Sequence, residues 1–438
     1  MCFHIKWIRS ELLINLARQH PSTMSVLFLL LSFVVLSLAY QTRPCTDFIE
    51  HAFTVVDYAW PTDSAREDAI MDGTFIQTNN IISGVNVYKD SVFVTVPRWR
   101  LGVPSTLNKI VVKDGVSVLQ PYPNWGYQTI GDCHALQFVQ SVAIDPNTGL
   151  MWIIDTGRIN FFAADGTPTQ NICPPKIIIY DIDKDEEKDR YEFPDSVANR
   201  NRTFLNDIVI QYHGGKARYA YITDDFEGRL IVYDRKKSMS HFYSHPSMSR
   251  AMDNITISNE TISVNDGING IALSSDMAYI YYGRLSGFDL YQVPTKTARK
   301  PGKPRQFSES VRCVGSKPAH AAGMTYSKDH SLYFGGLDDN TVYKWDINKD
   351  KRRQRKSFKK VEMKTVETFI GDPACVTFVD ILNFDEKKNL WFSANKLHKY
   401  FLGTMDFSGN SGSNVLIMKV PAGTKGYLSG IRKGKQKY

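Results

Sequence analysis

The chain has 438 residues, 42% of them hydrophobic and 12% aromatic, and 53 Lys or Arg against 45 Asp or Glu give it a formal charge of +8. Nine of those cations lie in residues 349–364, opposed only by Asp350 and Glu362, and the rest of the chain beyond residue 39 is near neutral at −1. Basicity confined to one segment excludes a nucleic-acid-binding face spread over the fold. No Gly-rich phosphate loop, nucleophile-plus-base motif or His-rich metal cluster occurs, so no cofactor and no metal are expected.

Residues 26–38 are an apolar run of thirteen broken only by serines, preceded by Lys6, Arg9 and Arg18 and followed by Ser37-Leu38-Ala39, a small-x-small cleavage pattern. Such a run is too short to cross about 30 Å of hydrocarbon as a helix. Residues 1–39 are therefore predicted to be a signal peptide, with a retained signal anchor as the other reading and Met24 as an alternative start. The chain is predicted to be secreted and extracellular, without a transmembrane segment.

Export sets how the cysteines are read, because thiols pair in an oxidising compartment. Cys2 leaves with the leader, and Cys45, Cys133, Cys173, Cys313 and Cys375 remain. Joining Cys133 to Cys173 and Cys313 to Cys375 closes loops of roughly 40 and 60 residues, each worth about 4 kcal/mol in the chain-entropy model. Other pairings stay open, and Cys45 is left over. The sequons at Asn201, Asn254 and Asn259 are expected to be glycosylated on surface loops.

Along residues 40–420 an aromatic residue recurs inside short apolar runs that end in turn residues. The anchors are Phe93, Trp152, Tyr221, Tyr281, Tyr333 and Trp391, spaced 59, 69, 60, 52 and 58 residues apart. Each unit places an apolar strand and an acidic or Gly-containing turn before the aromatic strand, as in Val142-Ala143-Ile144-Asp145-Pro146-Asn147-Thr148-Gly149. Asp, Asn, Pro and Gly supply hairpin geometry. Six equal units of this kind predict an all-β, six-bladed β-propeller; a β-sandwich would not need them. Residues 349–364 are read as a basic loop inserted in the propeller, with a polyanion contact, a dibasic protease site or plain solvated surface as its alternatives. Residues 421–438 are read as a basic C-terminal tail.

The motifs then resemble one family. Thr95-Val96-Pro97-Arg98-Trp99-Arg100, Leu150-Met151-Trp152-Ile153-Ile154-Asp155-Thr156-Gly157, Asn206-Asp207-Ile208-Val209, Ile222-Thr223-Asp224, Asp266-Gly267-Ile268-Asn269-Gly270-Ile271 and Leu390-Trp391-Phe392-Ser393-Ala394-Asn395 are similar to Yellow and major royal jelly protein motifs, in order. The resemblance implies a six-bladed propeller, two disulfides, secretion and a ligand site at one mouth of the central channel. It also implies a function class of small aromatic ligands, ranging over dopachrome conversion in melanin formation, biogenic amine binding, and nutrient or cuticle-associated roles.

In a propeller the innermost strand of each blade enters at the channel mouth, so the residues at the six entries converge there. The entries read as Asn80, Gln140, Asn206 with Asp207, Asn269, His320 and Asp380. Most are uncharged, which favours hydrogen bonding to a polar ligand over a calcium site, where several carboxylates are needed. The family resemblance adds Asn395 as a ligand-contacting amide and notes Val379 where amine binders carry Thr. Asn269, Asp380, Asn395, Asn206 and Gln140 are thus the predicted site for a small aromatic amine or catechol-derived ligand. For an aminochrome tautomerase or decarboxylase, His320 is the only mouth residue of base type.

Overall fold

The computed structural model describes residues 44–163 and 166–431. The chain divides into two units, Met1–Asp47 and Phe48–Tyr438. Of the first, only Pro44–Asp47 is described, and the predicted signal peptide lies outside the described residues.

The second unit is a six-bladed β-propeller of six four-stranded antiparallel sheets. Blade 1 runs Val85–Tyr88, Ser91–Thr95, Leu107–Lys113 and Val116–Pro121, and blade 2 runs Val142–Asp145, Leu150–Asp155, Lys176–Asp181 and Glu186–Glu192. Blade 3 comprises Leu205–His213, Lys216–Asp224, Arg229–Asp234 and Met239–Ser244, and blade 4 Ile268–Leu273, Tyr279–Arg284, Asp289–Pro294 and Arg312–Ser316. Blade 5 comprises Met324–Tyr326, Ser331–Gly336, Thr341–Asp346 and Val366–Gly371. Blade 6 takes Val379–Phe384, Asn389–Asn395 and Val415–Pro421 and borrows its outermost strand, Ile49–Phe53, from the start of the unit, with Ala52 opposite Leu416 and Phe53 opposite Val415.

The aromatic period marks the second strand of each blade because that strand is flanked in its own sheet and sandwiched between neighbouring blades. Trp152, Tyr221, Tyr281, Tyr333 and Phe392 are fully buried there. The turns before these strands are tight. Gly149 has φ +71, and a Cβ on it would lie 2.7 Å from the Tyr88 hydroxyl, so this turn of the Asp-Pro-Asn-Thr-Gly run needs glycine.

Polar residues that end the second strands fix the loops leading into the first strands. Asp155 accepts the backbone N–H groups of Gln137, Phe138 and Gly157, each at 2.8 Å. Lys176 lies 2.9 Å from the same carboxylate, and both side chains are buried; the contact is coulombic, not an aligned hydrogen bond. Asp224 accepts from the Phe204 N–H and the Thr203 hydroxyl, both at 3.0 Å. Thr95 Oγ1 accepts from Gly84 N and donates to the Gln140 carbonyl, each at 2.9 Å. Asn395 Oδ1 accepts from Leu397 N and its Nδ2 donates to the Ile82 carbonyl.

Arg98 does related work on one side of the mouth. Its buried guanidinium donates to the carbonyls of Val103, Leu136, Gln137, Pro104 and Gln128 at 2.7–2.8 Å. Burial pulls its pKa down to about 10, and the charge of Asp155 opposes that.

Two irregular additions shape the ends of the channel. A hairpin, Ala251–Ile257 with Glu260–Asp266, leaves the ring between blades 3 and 4. Past the last blade, Tyr427 and Leu428 enter the channel, and the Tyr427 hydroxyl accepts from Ile210 N and donates to Ile210 O. The opening of the residue 421–438 segment is therefore part of the folded ring.

The cysteine pairing needs one correction. Cys133 and Cys173 are joined, 40 residues apart, as predicted. Cys313 is not joined to Cys375: it is an exposed free thiol on the outer strand of blade 4, while Cys375 and Cys45 are each disulfide-bonded. Elimination misled the reading, since Cys45 was set aside as the leftover. The basic segment also differs from a plain loop. Ile347–Gln354 is a helix capped by the Asp346 side chain, and buried Asp350 clips its return by accepting from Trp345 Nε1, Lys364 N and Thr365 N. Among the described residues, no helix is long and apolar enough to cross a membrane.

Two measurements test this frame. Native, unreduced protein is expected to take up one alkylating label at Cys313, with Cys133–Cys173 recovered as one peptide in non-reducing mapping; label on Cys375 would contradict the assignment. Asp155→Ala strands the buried Lys176 ammonium and three backbone donors, and is expected to cost about 3–5 kcal/mol in denaturant unfolding, the range for breaking a buried pair. A loss under 1 kcal/mol would remove Asp155 from this role.

Candidate functional site

The innermost strands converge on a cavity of about 780 Å³ at the end where they begin. That volume suits a drug-sized ligand. Gln140, Asn206, Asn269 and Asp380 all line it, so four of the predicted entry residues are brought together. Asp207 points one step deeper, into a narrow part of the channel of about 40 Å³ floored by Tyr427 and Leu428.

The structure places the other predicted residues elsewhere. Asn80 is buried in scaffold bonds, accepting from the Tyr58 hydroxyl and donating to the Ile76 and Gly102 carbonyls. Ser83 stands at that entry instead, accepting from Gln140 Nε2 at 2.9 Å and donating to Asp380 Oδ2 at 2.5 Å. Asn395 braces Asp380 from behind and does not line the cavity, because its amide is consumed by Ile82 and Leu397. Val379 is fully buried beside it. His320 is likewise not a lining residue; Ala322 holds the blade 5 position. The imidazole sits between Asp338, at 2.8 Å from Nδ1, and Asp253, at 3.1 Å from Nε2. Burial opposes its charge, but bonds to the two carboxylates outweigh it and raise the pKa. Carboxylates at both nitrogens favour the protonated ring, which ties the Asp253 hairpin to blade 5.

Sequence reasoning missed the walls. Trp99, Phe162, Phe204, Phe226, Phe378 and Phe401 surround the polar floor, and all six sit in loops or in a flanking helix that strand periodicity cannot register. Phe204 and Phe226 stack at 4.9 Å, and Trp99 meets Phe401 edge-on at 5.5 Å. The hairpin contributes Ile262, Ser263, Val264 and Asn265 as one rim, and Leu397 and Phe401 of the Leu397–Leu402 helix form the facing one. Glu260 joins these rims through Lys399 at 3.2 Å. Asp225 and Asp266 also line the cavity. The Asp266-Gly267 turn stood inside one of the family-like motifs and Asp225 directly follows another, Ile222-Thr223-Asp224, so both were within reach of the sequence.

Two polar atoms in this wall have no protein partner. Gln140 Oε1 is an orphan acceptor and Trp99 Nε1 an orphan donor, on side chains 4% and 3% exposed. Leaving such groups unpaired costs about 1–3 kcal/mol each, so the cavity favours an occupant that satisfies both. Burial raises the floor carboxyls, Asp380 to about 6 and Asp207 to about 7, against hydrogen bonds from Ser83 and Asn395 on the first and Ile208, Ser141 and Ile271 on the second. Among the described residues, no group of three His, Cys, Asp or Glu is placed to hold a metal ion.

Fold and cavity together define a six-bladed propeller with an aromatic-walled, acid-floored pocket at one channel mouth. The family model "Major royal jelly protein" matches residues 137–420. The chain belongs to that family. It is 27% identical over 378 residues to major royal jelly protein 7 of Apis mellifera, covering 82% of each chain, and 28% identical over 392 residues to protein yellow of Drosophila subobscura, covering 85% of this chain and 65% of the relative. Against major royal jelly protein 5 of Apis mellifera the identity is 29% over 73% of this chain, which spans 53% of that relative.

The raised carboxyls fix a pH dependence. Unfolded, Asp380 and Asp207 lose their protons near 4; folded, they keep them to about 6 and 7, so their contribution is full below pH 4 and is lost as pH rises to 7. Asp380→Asn is expected to flatten that fall, so that its stability relative to the parent rises by about 2 kcal/mol between pH 4.5 and 7.5 in urea unfolding. Parallel pH profiles for the two proteins would contradict the burial argument.

Proposed function

We propose that this chain is a secreted Yellow-like propeller that binds a small aromatic ligand of catecholamine or indoleamine type at the channel mouth, in pigmentation, cuticle or extracellular amine handling. The observation that carries the reading is the pairing of an orphan buried acceptor, Gln140 Oε1, with an orphan buried donor, Trp99 Nε1, inside walls of Phe162, Phe204, Phe226, Phe378 and Phe401. An aromatic ring fills the walls, hydroxyl groups serve both orphans, and an ammonium group suits a floor of carboxylates and amides. Family membership and the Cys133–Cys173 disulfide support the secreted setting, as do the sequons: Asn201, Asn254 and Asn259 are all exposed and are proposed to carry glycans.

One observation favours dopachrome conversion as the second reading. Asp380 lines the cavity and titrates at about 6, near the working pH that general acid–base chemistry on an aminochrome needs. A polyanion contact is proposed separately for the basic segment, where Arg352, Arg353, Arg355, Lys359, Lys360 and Lys364 are exposed; retention on a heparin column reads it out.

Calorimetric titration with dopamine and serotonin, run beside an assay of dopachrome loss, tests the main reading. Binding without turnover is expected. Gln140→Leu should weaken it about fivefold to tenfold, the worth of one hydrogen bond, and Asp380→Asn by about 1.5–3 kcal/mol, the range for a bond to a charged group. Turnover abolished by Asp380→Asn would favour the enzyme, and binding unchanged in both variants would move the ligand away from this mouth.

A further inference from the structure

The mouth floor carries a second acidic element beyond Asp380. Asp225 and Asp266 both line the cavity and are 3% and 8% exposed. One turn couples them: Asp225 Oδ1 accepts from the N–H of Gly267, the residue after Asp266, at 3.2 Å, and Oδ2 accepts from Asn269 Nδ2 at 2.9 Å. A Cβ on Gly267 would lie 2.3 Å from the Asp225 carbonyl oxygen, so the two segments approach as closely as only glycine permits. Asp266 in turn accepts from Leu285 N at 2.7 Å and Ser286 N at 2.9 Å.

The cations around the pair are unevenly placed. Buried Lys317, which donates to the Arg284 carbonyl at 3.0 Å, is the cation that acts on Asp266. Arg250 faces Asp225, but it is exposed, donates to the Asn265 carbonyl and lies 4.8 Å from the Phe226 ring. Asp266 thus has a buried counter-charge and Asp225 does not. Burial first, then the charge of Asp266, pushes Asp225 well above the ordinary carboxylate range, and burial raises Asp266 as well. Close buried carboxylates do not both ionise readily.

We propose that this pair is the counter-ion of the mouth: the ammonium group of a cationic aromatic ligand takes the place of a proton held between Asp225 and Asp266, so that binding expels one proton to solvent. No covalent bond to the ligand forms or breaks; an ammonium N–H donates to the carboxylate that the departing proton has left. The inference rests on the amine-binding reading and adds how the site selects charge. A neutral aromatic of the same size has nothing to exchange, and affinity for a cation rises with pH, by up to tenfold per unit, while the proton is still held.

Titrating the whole chain with serotonin in phosphate and in Tris at the same near-neutral pH tests it, because the two buffers differ in heat of ionisation. The apparent enthalpies should differ by the heat of one proton taken up, and Kd should fall toward tenfold between pH 6 and 7. Asp225→Asn should bind with no proton released and a flat pH profile, whereas Asp380→Asn should bind more weakly and still release it. Buffer-independent enthalpy in the unmodified protein would overturn the proposal and leave amine binding standing; release lost in Asp380→Asn but kept in Asp225→Asn would overturn it by assigning the exchange to Asp380. No binding of serotonin or dopamine at all would overturn both readings. The two-buffer comparison needs no variant, so a folding defect cannot decide it.

Discussion

Hydrogen-bonding side chains at the ends of second strands hold the channel mouth together. Thr95, Asp155, Asp224 and Asn395 are the last residues of those strands in blades 1, 2, 3 and 6, and each reaches the loop that enters an innermost strand. In blades 4 and 5, where the strands end at Arg284 and Gly336, Asp266 and Asp338 take over by accepting backbone N–H groups of Leu285, Ser286 and His320. Six radially arranged sheets leave many loop donors facing the axis, and a buried carboxylate that accepts two or three of them satisfies donors that would otherwise be orphaned.

The same constraint produces the site. Carboxylates placed for structure are buried, and burial raises those that lack a cation, so Asp207, Asp225 and Asp380 end up titratable near neutrality. The aromatic loops and the Ala251–Asp266 hairpin roof this floor, and the His320–Asp253 and Lys399–Glu260 contacts pin that roof on two sides.

Much of this was legible in the chain because the propeller repeats one burial pattern. An aromatic on a strand covered on both sides has no polar alternative, so Trp152, Tyr221, Tyr281, Tyr333 and Trp391 kept the period visible. Gln140, Asn206, Asn269 and Asp380 were legible for the opposite reason, as polar residues where an apolar strand begins. His320 misled because it is polar and near the entry, while Ala322, which faces the cavity, carries no polar signal. The walls were illegible, since Phe162, Phe226 and Phe401 come from loops and a short helix whose lengths follow no period. The Cys313–Cys375 pairing failed for a related reason, while Cys133–Cys173 held: spacing along the chain says little about proximity in a ring.

Closure of blade 6 by Ile49–Phe53 ties the order of synthesis to the order of assembly. The strand that completes the ring is made before the other strands of the six blades, and its partner, Val415–Pro421, after them. Until the ribosome has delivered that partner, the early strand has no edge to join, and an arc of blades waits with both ends open. Assembly is therefore gated by chain length, and the open arc is the state that a chaperone would need to shield from pairing with another nascent chain.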